Sequence, residues 1–445
     1  MGDEARTTPF GPIPREWQLT QVGKAGQVQI GRARSPGTDN GPNMVPYLRV
    51  ANVLDGYIDY SDVYAMHFSE ADQKKYTVRK GDILLNEGQS TELVGRSAIF
   101  EGPEHRYCYQ NSLVNFRCGP SIISQFARAV FKRWLDIGHF TTIAKQTTSM
   151  AHLGGARFAK LEFPVPPLAE QRRIAEMLDT LDEAIRKTEQ LIAKLKQAKQ
   201  GLLHDLLTRG IDANGELRDP ERNPEQFKNS LLGRIPIDWH LTLLHEVAEI
   251  RSGIAKNEGR ILQDPVDVHY LRVANVQDGF LDLREMKTIR IPRSDLDRYR
   301  VLPGDVLMNE GGDLDKLGRG SLWHGEYEPC VHQNHVFVVR CGPMLLPEFL
   351  SAWTGASRAK AYFMVAGKQT TNLASINKTQ LGRLPVLLPS RAEQERILNV
   401  LSSCEEWIAL EGVELAKLRV LKQGLMEDLL TGRVRVTNLL SEVAA

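Results

Sequence analysis

The chain repeats itself at a nearly constant spacing. Leu-Arg-Val-Ala-Asn-Val at 48–53 recurs unchanged at 271–276, and the eight residues at 81–88 recur with two changes at 304–311, both at an offset of 223 positions. Further matches at the same offset are Lys-Gln-Thr-Thr at 145–148 and 368–371, and Lys-Gln-Gly-Leu at 199–202 and 422–425. Unrelated segments would not match by chance at one constant offset over such a length. The chain is a tandem duplication, so both copies must adopt the same kind of fold.

Each copy begins with a globular part that mixes short strands and helices. In the first copy, apolar and β-branched runs bounded by Gly, Asp or Pro predict strands at 47–53, 82–87 and 112–117. Ser121 is a plausible N-cap for a helix whose apolar residues follow at helical spacing, and 347–363 is the matching helix of the second copy. The sequence therefore predicts an α+β fold for each copy.

A long helix follows each globular part, at about 168–208 after a Pro-rich stretch and at about 390–431 after Pro389. At 1.5 Å per residue each helix would extend roughly 60 Å. Apolar residues seven positions apart indicate a coiled-coil seam in both helices, and a stripe this long and narrow disfavours packing on one globular domain. The seam positions are Ile174, Leu181, Thr188, Leu195 and Leu202 with Leu178, Ile185, Ile192, Lys199 and Leu206, and then Ile397, Cys404, Glu411, Leu418 and Leu425 with Leu401, Ile408, Leu415, Lys422 and Leu429.

Each apolar seam must pack against another helix, and the two long helices of the chain have equivalent seams that can pair with each other. Antiparallel pairing would place the two globular domains at opposite ends of a rod, related by a local two-fold axis. B-DNA has the same symmetry, so each domain is expected to meet one half-site. The predicted division is a globular domain at 1–165, a helix at 166–209, a globular domain at 210–387, a helix at 388–432 and a tail at 433–445.

Composition limits the function. The chain has 56 Lys and Arg residues against 55 Asp and Glu, so only local basic patches could bind nucleic acid. Five cysteines without a CxxC pair, and an N-terminus without an apolar leader, suit the cytoplasm. Amino-methyltransferase, nucleotide-phosphate, HExxH and GxSxG motifs are absent from the sequence. We therefore expect a binding protein with no catalytic residues, metal or cofactor of its own.

The doubled order of globular domain, Pro-rich turn and long helix resembles the specificity subunits of type I restriction–modification enzymes. The resemblance covers nearly the whole chain. The motifs that carry it are Gly-Asp-Ile-Leu-Leu at 81–85, Pro-Pro-Leu-Ala-Glu-Gln-Arg-Arg-Ile-Ala at 166–175, Gly-Leu-Leu-His-Asp-Leu-Leu-Thr at 201–208 and Gly-Arg-Ile-Pro-Ile-Asp-Trp at 233–239.

This resemblance implies two target-recognition domains that bind a bipartite, asymmetric DNA target. It implies assembly with two methyltransferase subunits and, for cleavage, with two restriction subunits. S-adenosylmethionine, ATP and magnesium chemistry would belong to those partners. In the family the central helices act as a spacer and as a dock for the methyltransferase subunits.

Residues shared by both copies suit DNA contacts that do not distinguish the half-sites. The two Lys-Gln-Thr-Thr segments each combine a cation, an amide and two hydroxyls, which suits contact with phosphate. The alternative is that these segments are solvated loops without a binding role. The Gln-Asn pairs could bind adenine or tie loops together, and the recurring arginines could face phosphates or form salt bridges. These candidates are Lys145, Gln146, Thr147, Thr148, Lys368, Gln369, Thr370, Thr371, Gln110, Asn111, Gln333, Asn334, Arg49, Arg96, Arg272 and Arg319.

Residues that make the two copies read different bases must lie where the copies diverge. The divergent candidates are Arg32, Arg34, Gln89, Ser90 and Thr91 in the first copy, and Lys256, Asn257, Arg260, Asp313 and Lys316 in the second.

Two rival interpretations remain open at this point. One is a coiled-coil scaffold that binds proteins without touching DNA. The other is an enzyme with an unfamiliar site in the Asn-Glu-Gly loops at 86–88 and 309–311. A strand end whose turn needs a glycine with positive φ is the favoured interpretation of those loops. His152 and His204 stand isolated in the sequence and are interpreted as surface or satisfied residues.

Overall fold

The computed structural model describes residues 5–8, 11–34, 43–147, 150–255, 263–313, 316–369 and 374–437. The chain divides into two compact units, with Met1–Gln190 and Val413–Ala445 in unit 1 and Leu191–Gly412 in unit 2. Both divisions fall inside a long helix, so each unit combines one globular part with a segment of each long helix. The predicted boundaries between globular domains and spacer helices stay a prediction.

Unit 1 mixes short strands and helices. Its strands are β1 (Ala5–Thr8), β2 (Gly11–Pro14), β3 (Gln18–Gln21), β4 (Gly26–Ile30), β5 (Met44–Leu48), β6 (Tyr64–His67), β7 (Ile83–Asn86), β8 (Gly88–Gln89), β9 (Ser97–Ile99), β10 (Cys108–Tyr109), β11 (Leu113–Cys118), β12 (Lys145–Gln146), β13 (Ala151–His152) and β14 (Glu162–Val165). Its helices are α1 (Val22–Ala25), α2 (Glu70–Tyr76), α3 (Ser124–Asp136), α4 (Gly155–Phe158) and the first part of α5 (Leu168–Leu206), with 3-10 turns at Val50–Asn52 and His139–Thr142.

Unit 2 repeats this order. Its strands are β15 (Phe227–Ser230), β16 (Gly233–Pro236), β17 (His240–Leu243), β18 (Ala248–Ser252), β19 (Pro265–Leu271), β20 (Lys287–Pro292), β21 (Val306–Asn309), β22 (Gly311–Gly312), β23 (Gly320–Leu322), β24 (Cys330–His332), β25 (Val336–Cys341), β26 (Lys368–Gln369), β27 (Ala374–Ser375) and β28 (Pro385–Leu388). Its helices are α6 (Leu244–Val247), α7 (Leu296–Tyr299), α8 (Pro347–Thr354), α9 (Ser357–Ala366), α10 (Lys378–Gly382) and the first part of α11 (Arg391–Leu430), with 3-10 turns at Pro224–Gln226, Val273–Asn275 and Arg293–Asp295. The predicted α+β fold is confirmed.

A four-stranded antiparallel sheet forms the centre of each unit. Its order is β4-β11-β7-β9 in unit 1 and β18-β25-β21-β23 in unit 2. In unit 1, Phe116 lies opposite Val28 on one neighbouring strand and opposite Ile83 on the other. The corresponding residues of unit 2 are Val339, Ile250 and Val306. The duplication seen in the sequence is therefore also a duplication of strand register.

The long helices contribute to both globular cores. In unit 1, Ile174 and Leu178 near the start of α5 pack in one cluster with Leu429 and Leu430 at the end of α11. In unit 2, the cluster joins the residues Leu206, Leu207, Ile397 and Leu401. Each fully buried leucine or isoleucine contributes roughly 1.5–3 kcal/mol by leaving water. The helix ends are therefore held by the globular parts as well as by each other.

The two long helices run antiparallel in unit 1. Lys422 forms an ion pair with Asp182, and Arg419, three residues earlier in α11, pairs at 2.7 Å with Glu189, seven residues later in α5. Moving along one helix therefore means moving back along the other.

Unit 2 shows the same direction. Lys199 in α5 pairs at 2.5 Å with Glu405 in α11. The last residues of α5, which come after Lys199, pack against the first apolar residues of α11, which come before Glu405. Seam positions away from the helix ends, such as Leu181, Leu195 and Leu415, are half-buried, as expected for a two-helix seam open to water on both sides. The predicted antiparallel coiled coil is confirmed.

A buried glutamine fixes the start of each long helix. Gln171 accepts a hydrogen bond from the backbone of Ile123 at 2.9 Å and donates to the carbonyls of Ser121 and Pro166. Gln394 repeats all three bonds in unit 2, with Leu346, Met344 and Pro389. The prediction that Ser121 caps α3 is wrong, because this glutamine holds residues 121–123 in place and the helix begins at Ser124.

Two further expectations are wrong in part. The strand predicted at 47–53 ends at Leu48, because the buried amide of Asn52 accepts from the Arg49 backbone and folds the chain into a 3-10 turn. The single helix predicted at 347–363 is two helices, α8 and α9. They separate at Gly355, a poor helix former, followed by Ala356 in an extended conformation. Among the described residues, no helix is long and apolar enough to cross a membrane.

Candidate functional site

Short strands gather the predicted contact residues of unit 1. β13 lies between β12 and β8, with Lys145 opposite His152 and Gln89 opposite Ala151. Lys145, Gln146 and Thr147 are exposed, and the Gln146 amide donates to the Thr91 hydroxyl at 3.2 Å. Candidates that lie more than fifty residues apart in the sequence therefore share one small sheet, which we call reading sheet 1 (Gly88–Gln89, Lys145–Gln146, Ala151–His152).

Unit 2 has the equivalent reading sheet 2 (Gly311–Gly312, Lys368–Gln369, Ala374–Ser375), with Lys368 exposed opposite Ser375. Next to this sheet, the Lys316 ammonium and the Asp313 carboxylate form an ion pair. Several predicted residues lie outside the described part of the chain, namely Thr148, Lys256, Asn257, Arg260, Thr370 and Thr371, and the side chain of Gln369 is likewise not described.

The predicted arginines with described contacts are bound within their own domains. Arg49 pairs with Asp62 at 2.5 Å and lies over the Tyr64 ring, and Arg32 pairs with Asp72 at 3.1 Å. In unit 2, Arg272 donates to the Glu285 carbonyl and Arg319 donates to Gln277. Arg34 is exposed and Arg96 is half-buried. Salt bridging, the alternative that the sequence left open for the recurring arginines, describes Arg49 and also Arg272, which lies 3.8 Å from the Glu285 carboxylate. Contact of the predicted arginines with phosphate stays a prediction.

The Gln-Asn turns tie strands together through their backbones. In unit 1, Gln110 donates to the Leu48 carbonyl at 2.9 Å and Asn111 donates to the Arg32 carbonyl at 3.0 Å. In unit 2, the same two bonds join Gln333 to Leu271 and Asn334 to Ile254. The side chain of Asn111 is exposed, and those of Gln110, Gln333 and Asn334 are half-buried. The loop-tying role is therefore present, while adenine contact by the side chains stays a prediction.

The Asn-Glu-Gly loops differ from the predicted turn. Gly88 and Gly311 are not among the glycines with positive φ, and both pair as strand residues within the reading sheets. A side chain at Gly88 would come within 3.2 Å of the His152 ring, and one at Gly311 within 3.3 Å of the Ala374 carbonyl. A Cβ atom at either position would make a tight contact, which favours glycine there. The preceding Asn86 is buried and donates to the Val53 carbonyl.

Sequence reasoning missed a glutamate–histidine pair in each unit. His152, interpreted from the sequence as isolated, places Nδ1 3.0 Å from a carboxylate oxygen of Glu87. In unit 2, His335 Nδ1 lies 2.6 Å from Glu310. The glutamates are mostly buried and the histidines are more exposed. The sequence does carry one signal, since His and Ser are exchanged between copies at 112 and 335 and again at 152 and 375, but this exchange does not identify the glutamates as partners.

Another histidine is part of the core rather than of this surface. His332 is 1% exposed, and its Nδ1 donates to the Val336 carbonyl at 2.6 Å. Burial lowers its pKa to about 4, so the ring is neutral at neutral pH. Among the described residues, no group of His, Cys, Asp and Glu side chains is arranged to hold a metal ion.

Comparisons with known proteins give one consistent family. A family model for the type I restriction modification DNA specificity domain matches residues 14–197. The chain is 22% identical to a putative type I restriction enzyme MjaX specificity subunit of Methanocaldococcus jannaschii, over 97% of this chain and 96% of that protein. It is 24% identical to the type I restriction enzyme EcoKI specificity subunit of Escherichia coli K12, over 80% and 74% of the two chains.

One solved structure is similar over nearly its full length. It comes from work on complex assembly and conformational transition of the type I R-M system, and its chain aligns with a TM-score of 0.61 and 16% identity. The alignment covers 95% of this chain and 99% of that one. At this identity the likeness concerns the fold.

Proposed function

The chain belongs to the family of type I restriction–modification specificity subunits, and we propose that it is the sequence-specific DNA-binding subunit of such an enzyme. Each unit recognises one half of a bipartite, asymmetric target. The single observation that carries this proposal is the presence of two reading sheets built on the same register but lined by different residues. Shared residues such as Lys145 and Lys368 suit the uniform backbone, and divergent residues suit different bases.

The catalytic steps take place in other subunits. The chain is a non-catalytic recognition subunit, as in its family. We propose that it docks two methyltransferase subunits and, for cleavage, two restriction subunits. Those partners would bind S-adenosylmethionine, ATP and magnesium, and this subunit would bind none of them. The two paired helices offer both partners an equivalent surface, because the same antiparallel contacts occur once in each unit.

Binding tests of the complex separate DNA recognition from the rival interpretation. The full chain would be assembled with its methyltransferase subunits and incubated with a library of randomised duplexes, and the retained duplexes would be sequenced. We expect a motif of two short specified blocks separated by a fixed run of unspecified bases. Weak binding by the isolated chain is expected, because its net charge is only +1. A coiled-coil scaffold without DNA contact would retain no motif at any salt concentration.

A further inference from the structure

The glutamates of the two Glu–His pairs occupy the same backbone environment. Glu87 donates its backbone N–H to the Ser112 carbonyl at 2.8 Å and accepts at its own carbonyl from Leu153 at 2.8 Å. Glu310 makes the same bonds with His335 and Ile376, at 2.9 and 2.8 Å. Each glutamate therefore lies between the residue that follows the Gln-Asn turn (112 or 335) and the end of the central strand of a reading sheet (152–153 or 375–376).

The two flanking positions have exchanged residues between the copies. In the turn, unit 1 has Ser112 where unit 2 has His335, and on the central strand unit 1 has His152 where unit 2 has Ser375. Each carboxylate keeps one histidine partner, supplied from opposite sides in the two units. A carboxylate needed only for packing could be satisfied by a serine hydroxyl or a backbone N–H. Retaining the pair while moving the imidazole points to a role for the imidazole itself.

The carboxylate determines which nitrogen of each imidazole ring carries the proton. A histidine whose Nδ1–H donates to a carboxylate carries its free lone pair on Nε2, on the far side of the ring. The His152 side chain is 41% exposed on reading sheet 1, across from Lys145. Its Nε2 can accept a hydrogen bond from the exocyclic amino group of adenine or cytosine in the major groove.

In unit 2 the ring supports an amide instead. The Asn334 Nδ2 lies 3.4 Å from His335 Nε2, which is the acceptor expected when Nδ1–H donates to Glu310. This contact orients the Asn334 amide, whose carbonyl oxygen and second N–H match the N6 and N7 positions of adenine. The same glutamate–histidine device thus presents an imidazole acceptor in unit 1 and an oriented amide in unit 2.

We propose that His152 in unit 1 and Asn334, held by His335, in unit 2 are specificity-determining base contacts, with Glu87 and Glu310 as positioning residues. The inference rests on the proposed function and adds the residues that make the two half-sites differ. The ligand group in both half-sites is a base with an exocyclic amino group, contacted from the central strand of reading sheet 1 in unit 1 and from the Gln-Asn turn in unit 2.

The test uses the complex of the full chain with its methyltransferase subunits and the randomised duplex library. His152→Ser should relax the preference at one base pair of one half-site by about tenfold, the value of one hydrogen bond, and leave the other half-site unchanged. The matched control is Ser375→Ala, at the equivalent and exposed position of unit 2, which should leave both half-sites unchanged. Ser112→His combined with His152→Ser installs the arrangement of unit 2 and should change the preferred base at that pair.

The positioning role of Glu87 has its own readout. Glu87→Gln should relax the same base pair as His152→Ser, and the double variant should be no worse than the single ones. If His152→Ser fails to fold, His152→Asn keeps a donor for Glu87 and should still alter that base pair.

The outcomes are distinguishable. If the wild-type complex selects no motif, the proposed function fails. If the wild type selects a motif that His152→Ser retains at every pair with equal affinity, the function stands and this inference is overturned. A uniform loss of affinity with the motif intact would also overturn it, because His152 would then be a phosphate contact.

Discussion

A buried ion pair joins the end of one long helix to the start of the other in unit 2, and its removal should destabilise that unit. Arg218, which follows α5, contacts both carboxylate oxygens of Glu393 in the first turn of α11, at 2.5 and 3.2 Å. The side chains are only 10% and 4% exposed. Glu393 also accepts from the backbone of Ile211 at 3.1 Å. Arg218→Ala would leave a buried carboxylate that, among the described residues, accepts from the Ile211 N–H alone.

The expected magnitude follows from the burial. Breaking a buried pair by removing one partner costs about 3–5 kcal/mol, because the remaining charge cannot be solvated. Arg218→Ala should therefore lower the guanidinium midpoint of unit 2 by roughly 1 M, for an m value of about 4 kcal/mol per molar. Adding Glu393→Gln removes the orphaned charge but keeps an acceptor for Ile211. The double variant should recover more than half of the lost stability.

The assay is equilibrium unfolding at pH 7, followed by the fluorescence of buried tryptophans such as Trp239. Arg222→Ala is the matched control, because Arg222 lies in the same segment, is 86% exposed and pairs with its neighbour Asp219. It should leave the midpoint unchanged. If Arg218→Ala were as mild as Arg222→Ala, or if Glu393→Gln gave no recovery, the buried pair would not stabilise unit 2 in this way.

Three further changes have defined outcomes. Lys145→Ala should weaken binding to all duplexes alike and reduce the salt dependence by about one counterion, and unchanged binding across a salt titration would remove Lys145 from the contacts. The pKa of His332 is about 4 in the folded chain and about 6.5 in the unfolded chain, so the free energy of unfolding decreases as the pH falls from about 6.5 to 4. His332→Gln should remove up to about 3 kcal/mol of that decrease. An unaltered pH profile of unfolding would show that His332 does not cause it. Gln394→Leu should cost about 2–4 kcal/mol in denaturant unfolding by orphaning three backbone groups, and a cost below 1 kcal/mol would disprove its role.

Much of the fold could be predicted because the duplication is a strong constraint. A constant offset means that a register found in one copy, such as Phe116 between Val28 and Ile83, must recur in the other. The seven-residue apolar spacing likewise determines which helix positions become half-buried. Both features depend on long, periodic patterns, which survive local exceptions.

The candidate site was less predictable because it depends on two-residue strands. The pairing of Gly88–Gln89 with Ala151–His152 has no periodic pattern of its own, so the contact between Glu87 and His152 could not be derived from spacing. The strand predicted at 47–53 stops at Leu48 for a similar reason. One buried side chain, Asn52, outweighs the β propensity of its apolar neighbours by supplying backbone partners for a turn.

If each globular part reads its own half of one DNA target, the two parts should be exchangeable one at a time. Residues 1–165 would be replaced with the corresponding domain of a relative that has a different target, and the methylated sites produced by the assembled enzyme would be mapped. We expect one half of the motif to change while the other half stays as in the wild type. A change in both halves, or in neither, would show that the two globular parts do not read separate half-sites.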